Sequence, residues 1–291
     1  MSLAYLNGEW ALVNTMRVPV LDRGFLFGDG VYEVIPVYRG RLFRLHEHLA
    51  RLERSLAGAR IAPPLAPSQW IELLEELVRR NGSCDPAVYL QVTRGTALRA
   101  HAFPSATPAT VFAMGLPQVR RYQRASGVAA VVREDNRWSR CDIKAITLLA
   151  NVLLHQEAVD AGAAESILIR DGWLTEGASS NVFVVHEGRV LTPPLGPRLL
   201  AGITRALVLE LASEAGMACA EERVSLAMLR QASEVWLTAS TKEMAAVVVI
   251  DGTAVGDGRP GPVWKKLNAL FQDYISATHR SATHRDAHSA G

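Results

Sequence analysis

Lys144 stands in RWSRCDIKAITLLANVLLHQEA, residues 137–158, directly before six uncharged and mostly aliphatic residues. An ammonium in that position has two readings. It is a helix-start lysine with its stem packed and its head in water, or an amine held dry enough to lose its proton and attack a carbonyl. Glu176, in LTEGASSNVF, lies where a hairpin strand meets a Gly-Ser turn. It is a solvated turn carboxylate, or the group that keeps a heterocyclic nitrogen protonated for an electron-sink cofactor. Gly202, Ile203 and Thr204, in LLAGITRALVLE, open a helix. They form an ordinary threonine cap or an anion site, because free N–H groups and the positive end of the helix dipole favour phosphate. Ser240 and Thr241, in LTASTKE, make a second hydroxyl-rich loop after an apolar strand. Arg94, Arg99 and His101 cluster in VTRGTALRAHAFP. That loop is either a solvated basic surface or a planar fork and imidazole suited to a carboxylate.

The elements that must hold these groups fall into two sets. In AYLNGEWA an Asn-Gly pair between β-prone arms signals a hairpin, and VYEVIPVYRGRLF reads as a second antiparallel pair. Leu45, Leu49, Leu52 and Leu56 form the stripe of a helix ending near Gly58. SQWIELLEELVRRNG is another helix, opened by Ser68 and closed by Asn81-Gly82, and AVYLQVTRG and ATVFAMG are strands. These make an N-terminal α/β domain over residues 1–115, followed by a polar linker over 116–124. The second domain, 125–276, has a strand at VAAVV, a helix over about 145–160, hairpins at ESILIRDGWLTE and NVFVVHEGRVLTP, a helix at TRALVLELASEAG and strands at EVWLTAS and AAVVVIDG. That order predicts a curled, barrel-like sheet flanked by helices. Residues 277–291 repeat SATHR, carry nothing to bury, and are expected to be disordered.

Composition narrows the function further. The chain has 291 residues, 49% of them hydrophobic, enough for a large core. Its net charge of +2 gives no electrostatic case for nucleic acid or an acidic membrane surface. No leader-like start and no run of eighteen apolar residues appears, so a cytoplasmic protein is expected. Cys84, Cys141 and Cys219 are odd in number and widely spaced, and read as reduced thiols with no metal site. The expected partners are small molecules or protein.

Taken in order, DRGFLFGDGVYEV, EHLARL, VTRGTALRAHAFP, RWSRCDIKAITLLANVLLHQEA, TEGASSNVFVV, GITRALV and LTASTKE resemble the fold-type IV aminotransferases that use pyridoxal 5′-phosphate. Within them the chain looks most like the bacterial D-amino acid aminotransferases, from about residue 4 to 275. The resemblance implies a two-domain α/β (α+β) fold with a smaller N-terminal domain. It implies that Lys144 forms the Schiff base and shuttles the proton at the substrate α-carbon, and that Glu176 pairs with the pyridine nitrogen. It gives the phosphate to Arg51, the Ile203 and Thr204 N–H groups and Ser240, and packs Leu200 against the ring. It gives the substrate carboxylate to Tyr32, Arg99 and His101, the last two reaching in from the neighbouring subunit of a homodimer with shared sites. The implied reaction is ping-pong transamination between D-alanine-like amino acids and 2-oxoglutarate-like oxo acids.

Two alternatives share the fold: a branched-chain L-amino acid aminotransferase and a lyase of the aminodeoxychorismate type. Arg99 with His101 argues against both. Three positions depart from the subfamily pattern: Leu98, where proline is usual; Pro36, inside a strand; and Lys242, where a small hydroxyl residue is expected.

Overall fold

The computed structural model describes residues 2–82, 87–116 and 126–286, with side chains only to 277 at the C-terminal end. Cys84 and nearly all of the expected linker lie outside the described residues. The chain divides into two units, Met1–Arg120 with Trp138–Leu149, and Arg121–Arg137 with Ala150–Gly291.

In the first unit β1 (Leu3–Leu6) and β2 (Glu9–Leu12) are joined by Asn7-Gly8, with φ of 49° and 98°. Two left-handed residues are what a two-residue hairpin turn requires. Then follow α1 (Arg23–Phe27), β3 (Gly30–Tyr38), β4 (Arg41–Leu42), α2 (Leu45–Ala59), α3 (Pro67–Asn81), β5 (Ala87–Thr93) and β6 (Thr110–Leu116). The six strands run in the order β2-β1-β6-β5-β3-β4. Leu52 and Leu56 of α2 and Leu74 and Leu77 of α3 pack with Val31, Ile35, Val88 and Leu90 in one core. Helix α3 starts one residue before Ser68, with Pro67 in its first turn and Ala66 as cap residue, whose N–H donates to Gln69 Oε1. A proline there forfeits an N–H that has no helical partner anyway. Pro36 does not end β3; it pairs with Ala87, and its carbonyl accepts from Phe43 N.

In the second unit β7 (Val128–Glu134) is followed by α4 (Leu149–Asp160), β8 (Glu165–Arg170), β9 (Trp173–Gly177), β10 (Asn181–His186), β11 (Arg189–Thr192), α5 (Ile203–Glu214) and β12 (Cys219–Glu221). The chain continues through α6 (Leu226–Gln231), β13 (Glu234–Ala239), β14 (Glu243–Ile250), β15 (Thr253–Ala254) and α7 (Pro262–Asp286). The sheet order is β12-β11-β10-β13-β14-β7-β8-β9, with β15 on β14. It curls until β9, at one edge, packs against β10. The barrel-like sheet expected from the sequence is present.

Three boundaries differ from the sequence reading. Segment 138–149, assigned above to the second domain, clusters with the first unit. The reason is backbone pairing: Tyr32 N donates to Lys144 O at 3.0 Å, Ile146 N donates to Gly30 O at 3.1 Å, and Val31 bridges Ala145. Helix α4 accordingly starts at Leu149 and not near 145, so Lys144 is not a helix-start residue. At the other end the α7 backbone runs to Asp286, into the stretch expected to be disordered. Residues 277–286 contain no glycine or proline, and helix propagation from an existing turn is easier than nucleation.

Candidate active site

Lys144 lies on the short extended segment that pairs with β3. Its own N–H donates to Ser55 Oγ at 3.2 Å, which ties the segment to α2. Buried Ile143, its neighbour, joins the first unit's core. The half-buried side chain sets Nζ 4.2 Å from the centroid of the Tyr32 ring. Among the described residues this amine has no hydrogen bond and no ion pair, so the electron-rich ring face supports it. Tyr32 in turn stacks on Tyr89, with centroids 5.8 Å apart, and Tyr89 donates its hydroxyl to Gln91. Burial, with Tyr32 alongside, pushes the Tyr89 phenol up to about 12.

The alternation of β3 that buries Val31 and Ile35 also buries Glu33 completely. A buried carboxylate needs partners. Arg51, on the inner face of α2, grips it bidentately, Nε to Oε1 at 2.8 Å and Nη2 to Oε2 at 2.7 Å. His48, one turn earlier, places Nδ1 2.8 Å from Oε2. Burial would raise the Glu33 carboxyl, but Arg51 and His48 together hold it well below the usual range. Arg51 is thus placed by a carboxylate that the sequence reading left unassigned. Among the described residues His48 Nε2 is buried without a hydrogen-bond partner, and burial pushes this imidazole down.

In the second unit Glu176 sits at the end of β9, 5% exposed. Arg137 Nη1 donates to its Oε1 at 2.5 Å, while Leu200 N and Asn181 Nδ2 donate to Oε2 at 3.0 and 3.2 Å. Arg137 is fixed from its other edge by Asp135, Nε to Oδ1 at 2.9 Å and Nη2 to Oδ2 at 3.0 Å. Burial raises the Glu176 carboxyl against the pull of Arg137 and the Leu200 N–H. The result is a carboxylate that is strictly oriented and more basic than one in water. Arg137, Asp135 and Asn181 were missed as site residues; Arg137 opens the quoted lysine segment, but no local spacing joins it to a glutamate 39 residues away.

Asn181 also donates to Leu200 O at 2.9 Å and lies directly over Gly202, where a Cβ would fall 1.9 Å from Asn181 Oδ1. A side chain at 202 would therefore push Asn181 away from Glu176 and from Leu200 O. Among the described residues no side chain caps α5, whose first residues Ile203 and Thr204 are buried. Ser240 is half-buried in the turn between β13 and β14. Two residues on, Lys242 Nζ donates to Glu165 Oε2 at 2.6 Å and to Ser179 Oγ at 2.8 Å.

Arg99 and His101 are exposed on the loop between β5 and β6. Both flank Phe27: the Arg99 guanidinium carbon is 5.2 Å and the His101 ring centroid 5.6 Å from that ring's centroid. Among the described residues neither side chain has a hydrogen bond or an ion pair. They stand apart from Arg94, which the sequence grouped with them and which is buried on Asp29.

Comparison with known proteins follows the same lines. The model of the amino-transferase class IV family matches residues 30–250. D-alanine aminotransferase of Bacillus licheniformis is 43% identical over 270 residues, covering 92% of this chain and 95% of that protein. The enzyme of the same name from Staphylococcus haemolyticus is 37% identical, with 95% and 99% covered. Among solved structures, Escherichia coli branched-chain amino acid aminotransferase superposes with a TM-score of 0.87 at 27% identity, 94% of each chain covered. The T.th. branched-chain enzyme complexed with N-(5′-phosphopyridoxyl)-L-glutamate gives 0.86 at 27%, with 95% and 94% covered.

Proposed function

The chain belongs to the class IV aminotransferases, and from that premise we propose that it moves an amino group between D-amino acids of the D-alanine kind and 2-oxo acids of the 2-oxoglutarate kind. The observation that carries this reading is the identity to D-alanine aminotransferases along nearly the whole chain, 43% over 92% of it. The branched-chain enzymes share the fold at lower identity.

The residues fit pyridoxal 5′-phosphate as cofactor. In the first unit an amine without an ionic partner among the described residues lies over Tyr32. In the second, a buried carboxylate of raised basicity adjoins a helix start that no described side chain caps. Those are the donors and acceptors that an aldehyde, a ring nitrogen and a phosphate call for. When bound, the cofactor supplies a carbonyl for the amino group and a protonated ring that takes up electron density from the α-carbon.

Lys144 anchors the cofactor through its amine and moves the proton at the substrate α-carbon. Glu176, oriented by Arg137, accepts the ring N–H and keeps that proton in place. The Ile203 and Thr204 N–H groups, Ser240 and Arg51 hold the phosphate, and Leu200 packs against the ring. Tyr32, Arg99 and His101 take the α-carboxylate. With amine and carboxylate both directed, only one enantiomer turns its α-hydrogen toward Lys144.

The protein acts as a homodimer in the cytoplasm. Exposed apolar side chains support self-association: Phe25 and Leu98 in the first unit are 75% and 83% exposed, and Val152 and Leu153 on α4 are 59% and 56% exposed. An odd number of widely spaced cysteines supports a reducing compartment.

Pyruvate release from D-alanine tests the reaction class. A transaminase forms one equivalent per site and continues only when a 2-oxo acid is added. No transfer from D-alanine, with sustained release of pyruvate and ammonia from β-chloro-D-alanine, whose chloride can leave, would instead establish a lyase.

A further inference from the structure

The loop between β5 and β6 raises a question that its own residues do not answer. Positions 98–103 are all exposed, Leu98 by 83%, and no proline stiffens the chain before Pro104. Holding such a backbone in one shape opposes its conformational entropy. The fixing group is Arg23, the first residue of α1, which is 3% exposed. Its Nη1 donates to Ala100 O at 2.6 Å and to Ala102 O at 3.4 Å, and its Nη2 to His101 O at 3.5 Å. One planar fork thus holds three successive carbonyls. Arg23 is itself locked: Nε donates to Asp29 Oδ2 at 2.7 Å, and its own N–H donates to Gly95 O at 2.9 Å.

Asp29 is shared with a second guanidinium. Arg94 donates to it through Nε at 2.8 Å and Nη2 at 3.0 Å, and reaches the end of α2 at Arg60 O and Ala59 O. The Arg94 guanidinium carbon also lies 3.7 Å from the centroid of the Phe103 ring. The loop is therefore held along its middle by Arg23 and at its far end by Arg94, with one carboxylate paired to both. Phe27 completes the platform: Arg23 stacks on its ring at 4.8 Å, and Arg99 and His101 pack on the same ring.

We propose that Arg23, locked by Asp29, is the positioning residue that presents Arg99 and His101 as a carboxylate receptor, and so sets affinity for the amino acid without touching it. The inference rests on the reading of Arg99 and His101 as that receptor. It also accounts for Leu98, since a guanidinium gripping three carbonyls supplies the stiffness that a proline at that position would give. Lysine cannot replace Arg23, because an ammonium is a point donor with no fork.

The test compares wild-type holoenzyme with Arg23→Lys and Asp29→Asn. Four quantities are measured: KM for D-alanine, the inhibition constant of propionate as a carboxylate without an amine, kcat at saturation, and the cofactor dissociation constant. Arg23→Lys is expected to raise KM and the propionate constant together, by about tenfold, the loss expected when charge-assisted hydrogen bonds no longer order the receptor. Cofactor affinity and kcat are expected to hold. Asp29→Asn should move the same two quantities in the same direction, and carries the test if Arg23→Lys does not fold. Arg99→Ala separates the two levels of the argument. If it raises KM while Arg23→Lys and Asp29→Asn leave it unchanged, the positioning role is wrong and the receptor stands. If Arg99→Ala leaves KM unchanged, the receptor and the inference both fall. A cofactor dissociation constant that rises as much as KM in Arg23→Lys would show a general structural role and overturn the proposal.

Discussion

The amine of Lys144 lies 4.2 Å from the centroid of the Tyr32 ring, and the backbones of the same two residues are joined by a 3.0 Å hydrogen bond. Residues 112 positions apart in the chain are therefore held as one rigid pair. The ring supports the amine, and the proposed function gives the phenol to the substrate carboxylate. The two parts of the tyrosine are expected to separate on mutation. Tyr32→Phe should keep cofactor loading and raise KM for D-alanine by about fivefold, for one lost hydrogen bond worth about 1 kcal/mol. Tyr32→Ala should impair cofactor loading as well. Steady-state kinetics beside a cofactor titration reads both effects.

Glu176 is expected to matter through its charge and not its shape. Glu176→Gln keeps the volume but leaves a neutral amide at the ring nitrogen. A loss in kcat of about a hundredfold or more is expected, the scale seen when an electrostatic group aimed at developing charge is removed. Cofactor retention, followed by absorbance after dialysis, should change far less.

Removing Arg137 should act on stability. Arg137→Ala leaves Asp135 and Glu176 buried without their shared cation. Breaking a buried pair from one side costs about 3–5 kcal/mol. Urea unfolding at neutral pH should show a loss of that order, and an unchanged midpoint would contradict the electrostatic account of this cluster.

Lys242 departs from the subfamily pattern, and its place in the fold gives it a pH signature. Burial would raise the Glu165 carboxyl, but His155, Lys242 and Ser179 outweigh it and hold the group at about 2, against an ordinary 4.5. A carboxyl depressed on folding stabilises the protein above its unfolded value and loses that contribution as pH falls through the folded one. The contribution is thus complete above about pH 4.5 and fades toward about pH 2. Lys242→Met should lower stability at pH 7 by about 3 kcal/mol and flatten the acid dependence across that window. Because the same ammonium ties the Ser240 turn to Ser179, cofactor affinity should fall too. Unfolding at pH 7 and pH 3, with a cofactor titration, checks each part.

What the sequence disclosed was local or periodic. Asn7-Gly8 announces its hairpin because few residues tolerate two positive φ angles, and the leucines of α2 announce a helix because their spacing lines one face. Lys144, Glu176 and Arg51 were legible as candidates from their motifs. Their partners were not. Glu33 reads as one polar residue in a strand until α2 lays Arg51 and His48 across it. Arg137 meets Glu176, Lys242 meets Glu165, and Arg23 meets the carbonyl of Ala100 at separations of 39, 77 and 77 residues. No period or motif encodes such a pair; sheet register and helix packing create it. The same holds for segment 138–149, whose pairing with β3 moves the lysine to the first unit.

The central claim, transfer from D-amino acids, is tested most directly by turning over the two enantiomers of alanine separately, with 2-oxoglutarate as acceptor. The account predicts a kcat/KM for D-alanine higher than that for L-alanine by about two orders of magnitude or more, because the wrong enantiomer cannot satisfy the carboxylate receptor and Lys144 together. Equal or faster turnover of L-alanine would contradict it.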